Sequence, residues 1–273
     1  MEIPIIFEDS EIVVIDKPSG IVCNRADTVQ GETLQDWWEG RYKISNLKFS
    51  NSQIEDEKYF LERSGLVHRL DRETSGVMVM AKTVPAFVSL LQQFKSRGVQ
   101  KQYMALTHGY WQAREGEISL PIGRRRDDRK KFGVREDGRE SVTKYEVISE
   151  YTTWEFPKEL KVDDRGYVGF SLVKFLPKTG RTHQIRVHAK QMGHPIVGDF
   201  DYAGRKRNRE DRKWAVTTRS GAEPSAGRVM LQAQRIEFEH PRNGKRIHFE
   251  SSNIELQDAL KYMGEPVHQT PGV

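Results

Sequence analysis

Apolar positions recur in short runs along this chain, and the runs predict its elements. Glu11 to Asp16 (EIVVID), apolar from Ile12 to Ile15, reads as a buried strand ended by Pro18 and Gly20, whose residue types demand a turn. A helix is predicted near Thr33 to Trp38, then a strand over Val77 to Ala81. Thr83 is placed to cap a helix that carries Phe87, Leu90, Leu91 and Phe94 at i, i+3, i+4 and i+7 and closes near Gly98. Tyr103 to Leu106, Val142 to Ile148, Val168 to Phe175 and Arg235 to Phe238 read as further strands. Two helices stand apart from them, Thr182 to Met192 and Leu256 to Met263, each followed by glycine. Strands dominate the second half with hairpin-like spacing rather than regular βαβ alternation, which predicts an α+β protein with a mixed, mainly antiparallel sheet and flanking helices. The apolar segments suffice for one core over residues 1–264, as a single large body or two lobes, with residues 265–273 expected as a flexible tail. No internal repeat interrupts this plan.

Composition narrows the function. Lys and Arg number 44 against 39 Asp and Glu, a formal charge of +5, which permits a nucleic-acid partner without establishing one. Cys23 is the single cysteine, so neither an intrachain disulfide nor a cysteine-based metal cluster can form. The apolar start Ile3 to Phe7 is broken by Glu8 and Asp9, too short for a signal peptide, and no later run is long enough to span a bilayer. A cytoplasmic monomer is the expectation.

One segment departs from core building. Gly65 to Lys82 reads GLVHRLDRETSGVMVMAK, with five ionisable side chains between His68 and Glu73 set against Val67 on one side and Val77 to Met80 on the other. Leu70 inside this island implies an extended segment in which Arg69 and Asp71 share one side and Leu70 anchors the other. A salt-bridged solvated turn is the bland alternative; ionisable groups held beside apolar walls are where functional pKa values arise.

A second segment asks for a partner. Thr182 is placed to cap a helix with Ile185, His188, Ala189 and Met192 along one face, which puts Arg186 in the first turn. A cation there opposes the helix dipole, so a carboxylate must reward it. His68, His183 and His188 together with Asp71 follow no recognised ligand spacing, and capping or core hydrogen bonds suit them better than a metal.

HRLDRETSG matches the HRLDxxTSG signature of the RNA pseudouridine synthases of the RluA type. IIFEDSEIVVIDKPSGIVCN resembles that family's opening strand and KPxG turn, and KQYMALTHG, PIGRRRDDRKKF, TGRTHQIRVHAKQMGHPIVGD and LQAQRIEFEHP resemble its later stretches in the same order, from Ile5 to Phe249. The resemblance implies the pseudouridine synthase fold with a central catalytic cleft. It implies Asp71 as nucleophile, Arg186 as the cation that pairs with it and keeps it ionised, and Tyr103 of the KQY stretch as the ring that stacks on the target uracil and assists proton removal. It further implies Ile185 as a pocket wall and Arg69 as the side chain that fills the space vacated in the RNA. His68, Arg72 and Thr74, beside the nucleophile, join them as substrate-binding candidates. The target uridine is extruded from structured ribosomal or transfer RNA before chemistry, and no cofactor is called for.

Arg124 to Lys131 (RRRDDRKK) and Arg205 to Lys213 (RKRNREDRK) follow turn signals and are candidates for gripping phosphate; as mixed charge runs they read equally well as solvated loops. The stretch 205–225 and Trp154 to Gly166 look like insertions relative to the family's compact links. Two competing functions remain open, a non-catalytic RNA-binding or chaperone protein on the same fold and a metal-dependent hydrolase. The first has no need of a nucleophile, and the second predicts inhibition by chelators. No separate N-terminal RNA-binding module is expected.

Overall fold

The computed structural model describes residues 1–27, 29–42, 55–151, 169–205, 211, 228–252, 256, 260 and 265–270. Among them the strands and helices follow as β1 (Ile5–Glu8), β2 (Ile12–Lys17), α1 (Leu34–Tyr42), α2 (Glu55–Arg63), β3 (Ser75–Ala81), α3 (Val84–Lys95), β4 (Gln100–His108), β5 (Glu115–Ser119), β6 (Ile122–Arg124), β7 (Phe132–Val134), β8 (Val142–Tyr151), β9 (Phe170–Pro177), α4 (Gln184–Gln191), β10 (Leu231–Glu239), β11 (Arg246–Glu250) and β12 (His268–Gln269). The architecture is α+β. Two compact units divide the chain, Met1–Lys101 with Ala233–Asn253, and Gln102–Gln232 with Ile254–Val273.

In the first unit the strand order is β1-β2-β3-β10, with β11 also on β10. Every residue of β2 and β3 is buried, which is why EIVVID and VMVMA carry no polar alternation. Each Val, Ile or Met withdrawn from water in these two strands contributes about 1.5–3 kcal/mol. Helix α1 starts at a reciprocal cap in which the Asp36 N–H donates to Thr33 Oγ1 and the Thr33 N–H to Asp36 Oδ2. Thr83 caps α3 as expected, accepting from the Ala86 N–H at 3.3 Å. The left-handed residue after α3 is Arg97 (φ 63°), not Gly98.

The second unit orders its strands β4-β9-β8-β12, with β5 sharing with β12 the edge of β8 opposite β9, and β6–β7 as a separate hairpin. Ladders β4–β9 and β8–β9 are antiparallel, matching the hairpin spacing of the sequence. Helix α4 begins differently from expectation. Its cap is His183 in the left-handed conformation (φ 56°) with no side-chain cap bond, in place of Thr182. The reason is Gln184, which folds back to accept from the Arg181 N–H and the Thr179 hydroxyl and to donate to Val142 O and Thr143 Oγ1. Met192, expected on the buried face, is 42% exposed. Residues 265–273 are expected from the sequence as a loose tail, yet His268–Gln269 pair with Glu150 and Ser149 of β8, and Thr270 N–H donates to Ile148 O, because β8 presents an edge that takes another strand.

The stretch Trp154 to Gly166 and all of 205–225 but residues 205 and 211 lie outside the described residues, as does most of the helix expected over Leu256 to Met263, of which Leu256 and Leu260 pack with Leu106, Ile148 and Val197. Among the described residues no helix is long and apolar enough to cross a membrane.

Candidate active site

The charged island of the first unit is held by its backbone. Strand β2 ends at Lys17, whose fully buried ammonium donates to Pro18 O at 2.8 Å, Ile21 O at 2.9 Å and Arg72 O at 3.2 Å. Gly20 N–H donates to the same Arg72 carbonyl at 2.8 Å, the Ser19 hydroxyl to Glu73 O at 2.7 Å, and the Cys23 thiol to Leu70 O at 3.3 Å. Thr74 N–H closes a turn onto Asp71 O at 3.1 Å. Four consecutive carbonyls, from Leu70 to Glu73, are therefore occupied, and the direction in which the Asp71 side chain leaves the backbone is set by the KPSG turn. Burial pushes the Cys23 thiol up, against the opposing charges of Lys17 and Arg69, so this cysteine is a hydrogen-bond donor rather than a reactive thiolate.

Side chains of the island divide as their residue types predict. Leu70 is 6% exposed, Arg69 and Arg72 are exposed and Asp71 is half-buried. Thr74 is buried and belongs to the interior of the loop. Arg72 donates from Nε to Gly20 O at 3.2 Å. His68 accepts from the Val79 N–H through Nε2 at 3.1 Å and stacks on Phe94 at 4.7 Å. Its burial, helped by the Lys101 and Arg63 charges, pushes its pKa down to about 3, so it is a neutral strut under β3. Burial also takes Lys101 down to about 8.

In the second unit the demand for a carboxylate beside Arg186 is met twice. Its Nε donates to Asp199 Oδ2 and its Nη2 to Asp199 Oδ1, both at 2.8 Å, and Nη2 also reaches Asp201 Oδ2 at 2.8 Å. Asp199 is wholly buried and Arg186 nearly so, whereas Asp201 is 49% exposed. Burial alone would raise the Asp201 carboxyl, but the hydrogen bond and charge of Arg186, with Lys131 and His183, bring it below its ordinary value. The Arg186 guanidinium lies 4.9 Å from the centre of the Tyr202 ring. Tyr103, half-buried on β4 opposite Phe175, packs against the same apolar cluster that contains Ile185, Val173 and Phe175. The structure thus brings Tyr103, Ile185 and the start of α4 into one neighbourhood.

The β6–β7 hairpin docks onto this helix. Ile122, Val187 and Tyr202 form a small core with Phe132 and Val134 against it. The Tyr202 hydroxyl accepts from Phe132 N–H at 3.0 Å and lies 2.8 Å from His183 Nδ1; burial pushes its pKa up to about 12, so it stays protonated. Next to Phe132, Lys131 donates to Asp201 O at 3.1 Å and stands 3.7 Å from Asp201 Oδ1. A surface cavity of about 640 Å³ opens here, lined among others by Arg125, Arg126, Phe132, Arg135, Lys190 and Tyr202. His188 serves the core: burial lowers its pKa, and it bonds Thr143 Oγ1 through Nδ1 at 2.9 Å and Leu120 O through Nε2 at 3.1 Å.

Sequence reasoning therefore names Asp71, Arg186, Tyr103 and Ile185, and misses Lys17, Ser19 and Cys23 as the clamp and Asp199 and Asp201 as the carboxylates on Arg186. Nothing in GHPIVGD by itself marks its aspartate as the partner of a cation. Asp71 belongs to the first unit and Arg186 to the second. Among the described residues no group of three or more His, Cys, Asp or Glu is placed to hold a metal ion.

Comparison with known proteins adds the family. Residues 11–191 match the model of a family described as RNA pseudouridylate synthase. An RNA pseudouridine synthase of Aquifex aeolicus is 35% identical over 248 residues, 91% of this chain and 68% of the relative. The ribosomal large subunit pseudouridine synthase D of Pseudomonas aeruginosa is 34% identical over 251 residues, 92% of this chain and 68% of its own length. Among solved structures, human RNA pseudouridylate synthase domain containing 1 superposes with a TM-score of 0.69 at 25% identity, covering 100% of this chain and 91% of the other.

Proposed function

This chain belongs to the RluA-type RNA pseudouridine synthases, an isomerase family, and from that membership we propose that it converts a uridine of structured ribosomal RNA to pseudouridine with Asp71 as nucleophile and Arg186 as a catalytic cation. In this reading the uridine leaves its stack at a cost of a few kcal/mol, offset by phosphate contacts and stacking, and Arg69 fills the gap. Asp71 attacks, the bond from C1′ to N1 breaks, uracil turns, and C5 joins C1′. C5 then loses its proton with help from Tyr103, and N1 ends protonated, so the product is an isomer of the substrate. The conversion is redox-neutral and its balance calls for no nucleotide, metal or oxidant. Ribosomal RNA is put ahead of transfer RNA because a relative at 34% identity is named for the large ribosomal subunit.

The observation that carries the proposal is the occupation of four successive carbonyls around Asp71, since a nucleophile gains from being held before its substrate arrives. A non-catalytic RNA-binding protein has no use for such rigidity. Mapping pseudouridine in ribosomal and transfer RNA from cells with the wild-type gene, without it, and with Asp71→Asn tests the reading. One or more ribosomal positions should lose pseudouridine in both altered strains. Loss confined to transfer RNA would move the substrate, and full modification with Asp71→Asn would end the role given to Asp71.

A further inference from the structure

Arg186 carries one positive charge and is held by two carboxylates, Asp199 and Asp201. Asp201 brings a negative charge beside this guanidinium, and a cation next to Asp201 offsets it. The neighbouring hairpin places one there: Lys131, 28% exposed, donates to the Asp201 carbonyl at 3.1 Å and lies 3.7 Å from its carboxylate.

We propose that Lys131 is a positioning residue for the reaction, offsetting the charge of Asp201 beside the Arg186 guanidinium; this rests on the role given to Arg186 above. Its neighbours in the basic run are differently engaged. Arg124 donates to Arg129 O at 2.8 Å and stands over the Phe132 ring at 5.1 Å, and Arg125 pairs with Asp127. Arg126, Arg129 and Lys130 are exposed and suit phosphate. Lys131 is tied at one end of the same turn to Asp201 while the adjacent Phe132 N–H is tied to Tyr202, the ring beneath Arg186. The run therefore divides into an outer part that meets RNA and an inner residue that serves the guanidinium.

Single-turnover rates at saturating RNA and a salt series of affinities test the division. Lys131→Met should lower the rate about tenfold with the salt slope unchanged. Lys131→Arg should keep most of the rate, and the double variant Lys131→Met with Asp201→Asn should recover much of it, which loss of a merely structural contact would not allow. Lys130→Gln should weaken binding and lower the salt slope. A rate for Lys131→Met equal to wild type, with affinity and slope reduced, would make Lys131 a phosphate contact and overturn the inference; so would a double variant no faster than the single one. Arg186→Met is the companion measurement: wild-type turnover there refutes the reading of Arg186 itself, whereas loss there with an unaffected Lys131→Met refutes only the role of Lys131.

Discussion

Replacing Asp199 by asparagine separates the two carboxylates that share Arg186. Asp199 is wholly buried and accepts two hydrogen bonds of 2.8 Å from a guanidinium that is 5% exposed, whereas Asp201 offers one such bond from a side chain that is 49% exposed. Removing one partner of a buried pair costs about 3–5 kcal/mol, because the remaining charge stays desolvated. Arg186 keeps Asp201, so the lower end, about 3 kcal/mol, applies. Asp201→Asn loses an interaction that water already screens, worth about 0–1 kcal/mol. With a urea dependence of about 2 kcal/mol per molar, Asp199→Asn should move the unfolding midpoint down by about 1.5 M and Asp201→Asn by less than about 0.5 M. Circular dichroism across a urea series measures both. Equal shifts would refute the reasoning, since burial would then not govern the strength of the two contacts.

Gly76→Ala should destabilise far more than Gly20→Ala, because a Cβ at Gly76 (φ 116°) would stand 2.2 Å from Ala233 O, whereas Gly20 (φ 88°) has nothing within 4 Å and costs only backbone strain of about 1 kcal/mol; equal urea midpoints would remove the close approach as the reason for glycine in the TSG turn. The half-buried His68 has a folded pKa of about 3, below its ordinary 6.5, so the unfolded chain binds the extra proton: stability from this site is complete above pH 6.5 and declines as pH falls toward 3. His68→Gln should flatten that decline, and an unchanged pH dependence of the urea midpoint would contradict it. Asp71→Asn should retain folding and RNA binding and abolish pseudouridine formation, and turnover near wild type would sink the assignment.

Much of the fold was legible because its reasons are local. EIVVID has no polar face, so a strand buried on both sides was the natural home for it, and β2 is that strand. The Phe87 and Leu90 face needed only helical spacing, and Thr83 needed only to precede it. The start of α4 was misread because capping depends on backbone angles: His183 turns left-handed and Gln184 supplies the bonds that Thr182 was expected to make. The tail after residue 264 was misread because its pairing depends on the free edge of β8, far away in sequence.

The candidate site divides in the same way. That Arg186 needs a carboxylate follows from one helix and its dipole, and the sequence alone required it. Which carboxylates answer depends on the chain returning thirteen residues later through Asp199 and fifteen later through Asp201. Lys17 in the sequence is a lysine at the end of a strand, and only the fold wraps three carbonyls around it and makes it the clamp of the Asp71 loop. Lys130 and Lys131 are the same residue type side by side, yet one is exposed and the other holds Asp201. Residue type and spacing decide what a side chain can do and which element carries it, since those follow from neighbours a turn or a pleat away. Which charge stands opposite which is decided by segments distant in sequence, because a desolvated charge is tolerated only where the fold brings its partner within hydrogen-bond reach.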